Sequence, residues 1–211
     1  MHDLLVRRLR HLKVNPVVIA VMLADTILWS AWNLTGPIFA VFMLTQIEGG
    51  TVEAAATGYS IYLIGRVVFE LVSAKVLLKK SDTTKFIVTV IGMTAVSVAY
   101  IGFAYSPSVL FVFFFYFVLG GGIGFATPAK SSLFATHLDH KKEATECGVT
   151  DAVAYVAMAG TTILGGVIST LWGFTALFLI AAAFNLAGVI PYLRFIPSSR
   201  RINLFSSTNE S

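Results

Sequence analysis

Residues 14–44 read VNPVVIAVMLADTILWSAWNLTGPIFAVFML. A bilayer core about 30 Å thick needs about 20 apolar residues of helix, and this run is longer. One carboxylate, Asp25, interrupts it. A charge at that depth costs at least about 2.5 kcal/mol on insertion scales, so an ionisable residue there marks a functional position by default. At about 100° per residue, Asp25, Trp29, Trp32 and Gly36 share a narrow arc of one helix face, with Asn33 at its edge. This face reads as the wall of a polar cavity.

The rest of the composition agrees. The chain has 211 residues, 56% of them hydrophobic and 12% charged, with a mean hydropathy of +0.81. Soluble domains hold about 25% charged residues, so an all-α integral membrane protein is expected, with the lipid bilayer as its first partner. The net charge of +4 follows a topological pattern and carries no nucleic-acid footprint; no nucleic-acid partner is expected. Cys147, the one cysteine, excludes an internal disulfide. A cleaved signal peptide is not expected, because the first apolar segment is too long for one.

Taken in order, residues 1–13 form a basic tail that reads as an interfacial helix or a solvated tail. Residues 14–193 form the membrane domain, and residues 194–211 a polar tail. Asn15-Pro16 is a helix-start signal, and Gly36-Pro37 should kink the first span. Five further spans are predicted: four near residues 54–78, 86–104, 109–135 and 148–171, and a last one that follows the Trp172-Gly173 turn and ends near Tyr192. Turns fall at the Gly49-Gly50 loop, Ser106-Pro107-Ser108, a charged loop over 136–147, and Trp172-Gly173. Of the 15 Lys and Arg residues, 13 fall in the tails and in two alternate loops. The positive-inside rule therefore puts both termini in the cytoplasm of a multi-pass cell (inner or plasma) membrane protein.

The two remaining cations, Arg66 and Lys130, lie within spans. Arg66 shares a helical face with Tyr59, Tyr62, Glu70 and Ser73, and can pair with Glu70 at i, i+4. It lies at a depth similar to that of Asp25, so an Asp25–Arg66 pair across helices is expected, with a functional or a purely structural role. Tyr116, Gly120 and Gly124 follow one stripe of the fourth span. Four glycines at 120–124 imply close helix packing or a bend. Lys130 is placed to snorkel. Asp151 reads as a first-turn acid or as the partner of Lys130 in a gate. His137, Asp139, His140 and Glu143 read as a solvated loop, so no metal is expected, and no cofactor motif is present. The candidate cavity residues are thus Asp25, Trp29, Trp32, Asn33, Tyr62, Arg66, Tyr116, Gly120 and Gly124. The candidate ion-pair or gating residues are Asp25, Arg66, Glu70, Lys130 and Asp151.

From Phe69 to Ile168 the order of features resembles one half of a major facilitator superfamily transporter. Phe69-Glu70-Leu71-Val72-Ser73 is similar to the end of that family's second helix. The basic loop after it reads Ala74-Lys75-Val76-Leu77-Leu78-Lys79-Lys80-Ser81-Asp82-Thr83; Lys79 matches the family signature, while its glycines and aspartate are absent. Gly120-x-Gly122-x-Gly124 with Pro128 resembles the fourth-helix pattern, although the arginine that the family associates with proton coupling is replaced around Tyr116. Gly148 and Gly165-Gly166 resemble the fifth-helix pattern, with Thr161-Thr162 in place of its Gly-Pro. The resemblance implies a half-transporter: a six-helix bundle, two of which make the family's twelve spans. It implies secondary-active transport of a small-molecule substrate by alternating access, with a coupled proton or sodium ion as a candidate, and a second copy of the chain as partner. The alternatives are a non-transporting scaffold, receptor or assembly factor, and one half of a heterodimeric transporter. No enzyme is expected, because no nucleophile, base or metal constellation appears.

Overall fold

The computed structural model describes residues 15–138 and 143–195, the side chains of 143, 144 and 146 excepted. The N-terminal tail, the 139–142 stretch and the tail beyond 195 lie outside them, and with them the readings of residues 1–13 and of Asp139 and His140.

All regular elements among the described residues are helical. Helix α1 spans Pro16–Thr35 and begins where expected: Pro16 stands in its first turn, and the Asn15 side chain accepts a hydrogen bond from the Val17 N–H at 2.9 Å. That satisfies one of the donors a helix start leaves open. Pro37 lacks an N–H and cannot continue the ladder. The chain tightens there into a 3-10 turn, Gly36–Ile38, before α2 resumes over Phe39–Gln46. Helix α3 spans Val52–Val76, α4 Asp82–Ala104 and α5 Val109–His137. The start of α4 lies four residues before the expected one because Asp82 places an acid in the first turn, where the helix dipole favours it. Helix α6 spans Glu143–Ala187 and a short α7 covers Ile190–Leu193. The charged loop is therefore shorter than expected, since α5 runs to His137 and α6 starts at Glu143.

The turn expected at Trp172-Gly173 is not a loop. Helical geometry continues on both sides, and the chain breaks direction at a single residue, Gly173, with φ 79° and ψ 173°. That backbone region is essentially reserved for glycine, so one residue does the work of a connection. Five helical stretches are long and apolar enough to cross a bilayer. The last, Cys147–Leu193, has 47 residues and would reach about 70 Å if straight, more than twice a bilayer core.

Helices α3 and α4 both pack on α5, while α6 packs on α1 and α4. Lipid supplies no hydrophobic drive between helices, so close backbone approach has to hold them. The glycines provide it. A Cβ on Gly120 would collide with the Tyr62 carbonyl of α3, and one on Gly124 with the Arg66 carbonyl. On the other face, a Cβ on Gly122 would lie 2.7 Å from the Gly92 carbonyl of α4. Gly165 similarly seats α6 against the Leu34 carbonyl of α1. Asn185 ties the far arm of α6 to α4, donating to the Met93 carbonyl and to Ser97 Oγ, both at 2.7 Å. An aromatic cluster fills the end around α2: Phe39 lies 4.6 Å from Tyr116, 5.1 Å from Phe103 and 5.8 Å from Phe178, ring centre to ring centre. At the other end, Lys75 closes α3, Asp82 and Lys85 open α4 and His137 closes α5. We call this the basic end.

Candidate functional site

The break in the first span opens a cavity. Where α1 stops at Thr35, a space of about 240 Å³ lies between α1, α3, α4 and α5. Trp32, Asn33 and Thr35 come from α1, Tyr59 from α3, Tyr100 from α4 and Tyr116 from α5; Phe39, Phe103 and Leu119 complete its walls. Local hydrogen bonds fix the α1 side chains. Asn33 Nδ2 donates to the Trp29 carbonyl at 2.9 Å, and Thr35 Oγ1 donates to the Trp32 carbonyl at 3.2 Å. The walls thus combine aromatic faces with hydroxyl and amide groups and carry no formal charge, a make-up common in small-molecule pockets.

One wall continues into a charged column. The Trp32 ring stacks on Tyr62 at 4.9 Å, and Tyr62 on Tyr59 at 5.5 Å. Arg66 Nη1 donates to the Tyr62 hydroxyl at 3.2 Å, and Arg66 Nε lies 3.6 Å from Glu70 Oε2. The column Glu70–Arg66–Tyr62–Trp32 therefore connects an intramembrane ion pair to the cavity wall. Its charged part is not enclosed: the side chains of Arg66 and Glu70 are 28% and 40% exposed on the surface of the bundle. Arg66 stands ten residues, about 15 Å, from the end of α3, well inside the hydrocarbon depth.

The expected Asp25–Arg66 pair is corrected. Asp25 instead pairs with Lys130, whose ammonium is hydrogen-bonded to Asp25 Oδ1. The rotation of α5 set by its glycines turns Lys130 into the bundle. Its side chain is 7% exposed and does not snorkel. The Lys130–Asp151 pair is not formed either. Asp151 and Asp25 instead line one cavity of about 230 Å³, together with Phe134, Cys147 and Thr150. The buried Tyr192 hydroxyl has no hydrogen-bond partner among the described residues.

Of the expected cavity residues, Trp32, Asn33 and Tyr116 line the first cavity and Tyr62 backs it. Trp29 is half-buried and outside its lining. Gly120 and Gly124 lie in the α3–α5 contact, not on a lumen wall. His137 faces Asp82 at 3.5 Å, and Asp82 also holds Lys85 at 2.9 Å. Sequence reading missed Tyr100 and Asn185. Both carry a polar group within an apolar span, and that polarity at membrane depth was the signal for them.

The profile of the Major Facilitator Superfamily matches residues 21–209. No curated protein matches the chain.

Proposed function

The chain belongs to the Major Facilitator Superfamily, and on that premise we propose that it moves a small solute across a cell membrane by alternating access, as a parallel homodimer of half-transporter units. The observation that carries this reading is the uncharged aromatic–hydroxyl cavity at the break of the first span. A broken helix at a polar cavity is a recurring way to expose backbone groups to cargo inside a membrane.

Gly173 splits α6 into arms 143–172 and 174–187. Counting each arm as a span gives six, with both chain ends on the basic, cytoplasmic side. Two copies then insert in one orientation and meet across an axis along the membrane normal. The partly exposed Arg66–Glu70 pair supports the second copy. Facing lipid it would cost several kcal/mol, whereas facing a shared lumen it stays hydrated. Within each unit, Asp25, Lys130 and Asp151 act as the gate, with a proton or a sodium ion as the coupling ion. The reading leaves no role for catalysis.

Substrate-dependent thermal stabilisation of the purified chain, across a panel of metabolites and drugs, identifies the cargo. Uptake of each stabilising solute is then measured in proteoliposomes. The expected result is a solute that both stabilises and is transported, with both effects weakened in Trp32→Ala. A folded protein that no solute stabilises, and that supports no flux, overturns the proposal.

A further inference from the structure

Helices α3 and α4 each pack on α5 and scarcely on each other. Between them runs a groove of about 300 Å³. Its floor is Gly92, Gly121 and Gly122, and its walls include Phe69 of α3 with Ile91 and Ala95 of α4. No charged or hydroxyl side chain lines it. Ile91 and Ala95 stand nine and thirteen residues into α4, about 14 and 20 Å from Asp82. Counted from Lys85, the last charged residue of that helix, they lie about 9 and 15 Å deep, within the roughly 15 Å of a leaflet's hydrocarbon, so a lipid tail from the basic end reaches the groove.

The charges above it are one-sided. The two walls are joined by residues 77–81, where Lys79 and Lys80 are exposed, and Lys75 is exposed on the last turn of α3. No carboxylate occurs between Leu71 and Ser81. The two that flank it are already engaged, Glu70 by Arg66 and Asp82 by Lys85 and His137. Three lysines without a carboxylate partner among the described residues thus crown the same pair of helices that forms the groove.

We propose that this flank is a binding site for an anionic phospholipid, with the headgroup on Lys75, Lys79 and Lys80 and one acyl chain in the glycine-floored groove. The lysines select the headgroup charge. The groove holds the tail because its lining is apolar throughout, with Phe69, Ile91 and Phe125 offering hydrocarbon contact along its length. The site requires only that the chain spans a membrane, and is independent of the transport reading.

The test is native mass spectrometry of the full chain released from nanodiscs of equal parts phosphatidylglycerol and phosphatidylcholine. Retained lipid is expected to be enriched about tenfold in phosphatidylglycerol, a screened share of the attraction of three lysines near a surface. The triple variant Lys75→Gln, Lys79→Gln, Lys80→Gln should lose the enrichment. Ala95→Trp, which fills the groove, should lose retained lipid of both classes at unchanged helix content. If Ala95→Trp fails to fold, Ile91→Phe on the exposed rim replaces it. Enrichment that survives the triple variant, or lipid retention that survives the filled groove, overturns the proposal. So does disulfide cross-linking of two chains through Ile91→Cys, which would put a second copy in the groove.

Discussion

Lys130 is a cation 7% exposed at membrane depth, and its partner Asp25 is 31% exposed. The asymmetry has a consequence. Removing the carboxylate strands a deeply buried ammonium, and breaking a buried pair from one side costs about 3–5 kcal/mol. Removing the ammonium strands a group that already reaches a cavity, so the cost falls to about half of that. Asp25→Asn is therefore expected to lower the thermal midpoint in detergent more than Lys130→Met does, and the double variant to recover part of the loss. Equal effects of the two single variants would show that burial does not control the pair. The tryptophans offer a second test. Trp32 stacks on Tyr62 and lines the cavity, while Trp29 does neither. Trp32→Ala should weaken solute binding about tenfold, roughly 1.4 kcal/mol. Trp29→Ala should leave binding unchanged in the same calorimetric titration.

The glycines divide the helices into seams and open faces. Gly120, Gly124 and Gly165 each press against a neighbouring carbonyl, whereas nothing lies within 4 Å of a Cβ built on Gly148, Gly160 or Gly166. Gly120→Ala or Gly124→Ala should separate α3 from α5 and abolish folded expression. Gly166→Ala should be tolerated and gain up to about 1 kcal/mol from helix propensity. Expression level and thermal midpoint separate the two classes. Gly173 stands apart from both. It meets nothing within 4 Å, yet its φ of 79° belongs to glycine. Gly173→Ala should cost about 1–3 kcal/mol through backbone strain alone, seen as a lower midpoint with helix content retained.

At the scale of the whole molecule, the bundle presents two unlike flanks. Around α4 the exposed large side chains are apolar, such as Ile91, Val98 and Ile101, as a lipid-facing surface requires. Around α3 the Arg66–Glu70 pair breaks that pattern. In a homodimer that buries this face, a cysteine at Leu63, 43% exposed and on the arc of Arg66, should cross-link two identical chains in native membranes once Cys147→Ser has removed the natural thiol. A cysteine at Val98 should not. Absence of the Leu63 product, with monomeric mass in mild detergent and intact transport, would rule the dimer out.

Sequence alone determined the properties that are local. Apolar runs located the long helices, Asn15-Pro16 marked the first start, and Gly36-Pro37 located the break that opens the cavity. These features were legible because chain length against bilayer thickness, proline's missing donor and capping chemistry act within a few residues. The local Arg66–Glu70 pair was legible for the same reason. What sequence left open were contacts set by how each helix is rotated about its axis. Sequence reading matched Asp25 with Arg66, and Lys130 with Asp151, and hydropathy does not choose among such partners. The choice came from the glycines of α5, which bind its two faces to α3 and α4 and so turn Lys130 inward. The same rotation placed Gly120 and Gly124 in a seam and brought Tyr100 and Tyr116 to one cavity. Asn185 meets Ser97 across 88 residues. Such pairings depend on packing around the whole bundle, so only the tertiary structure decided them.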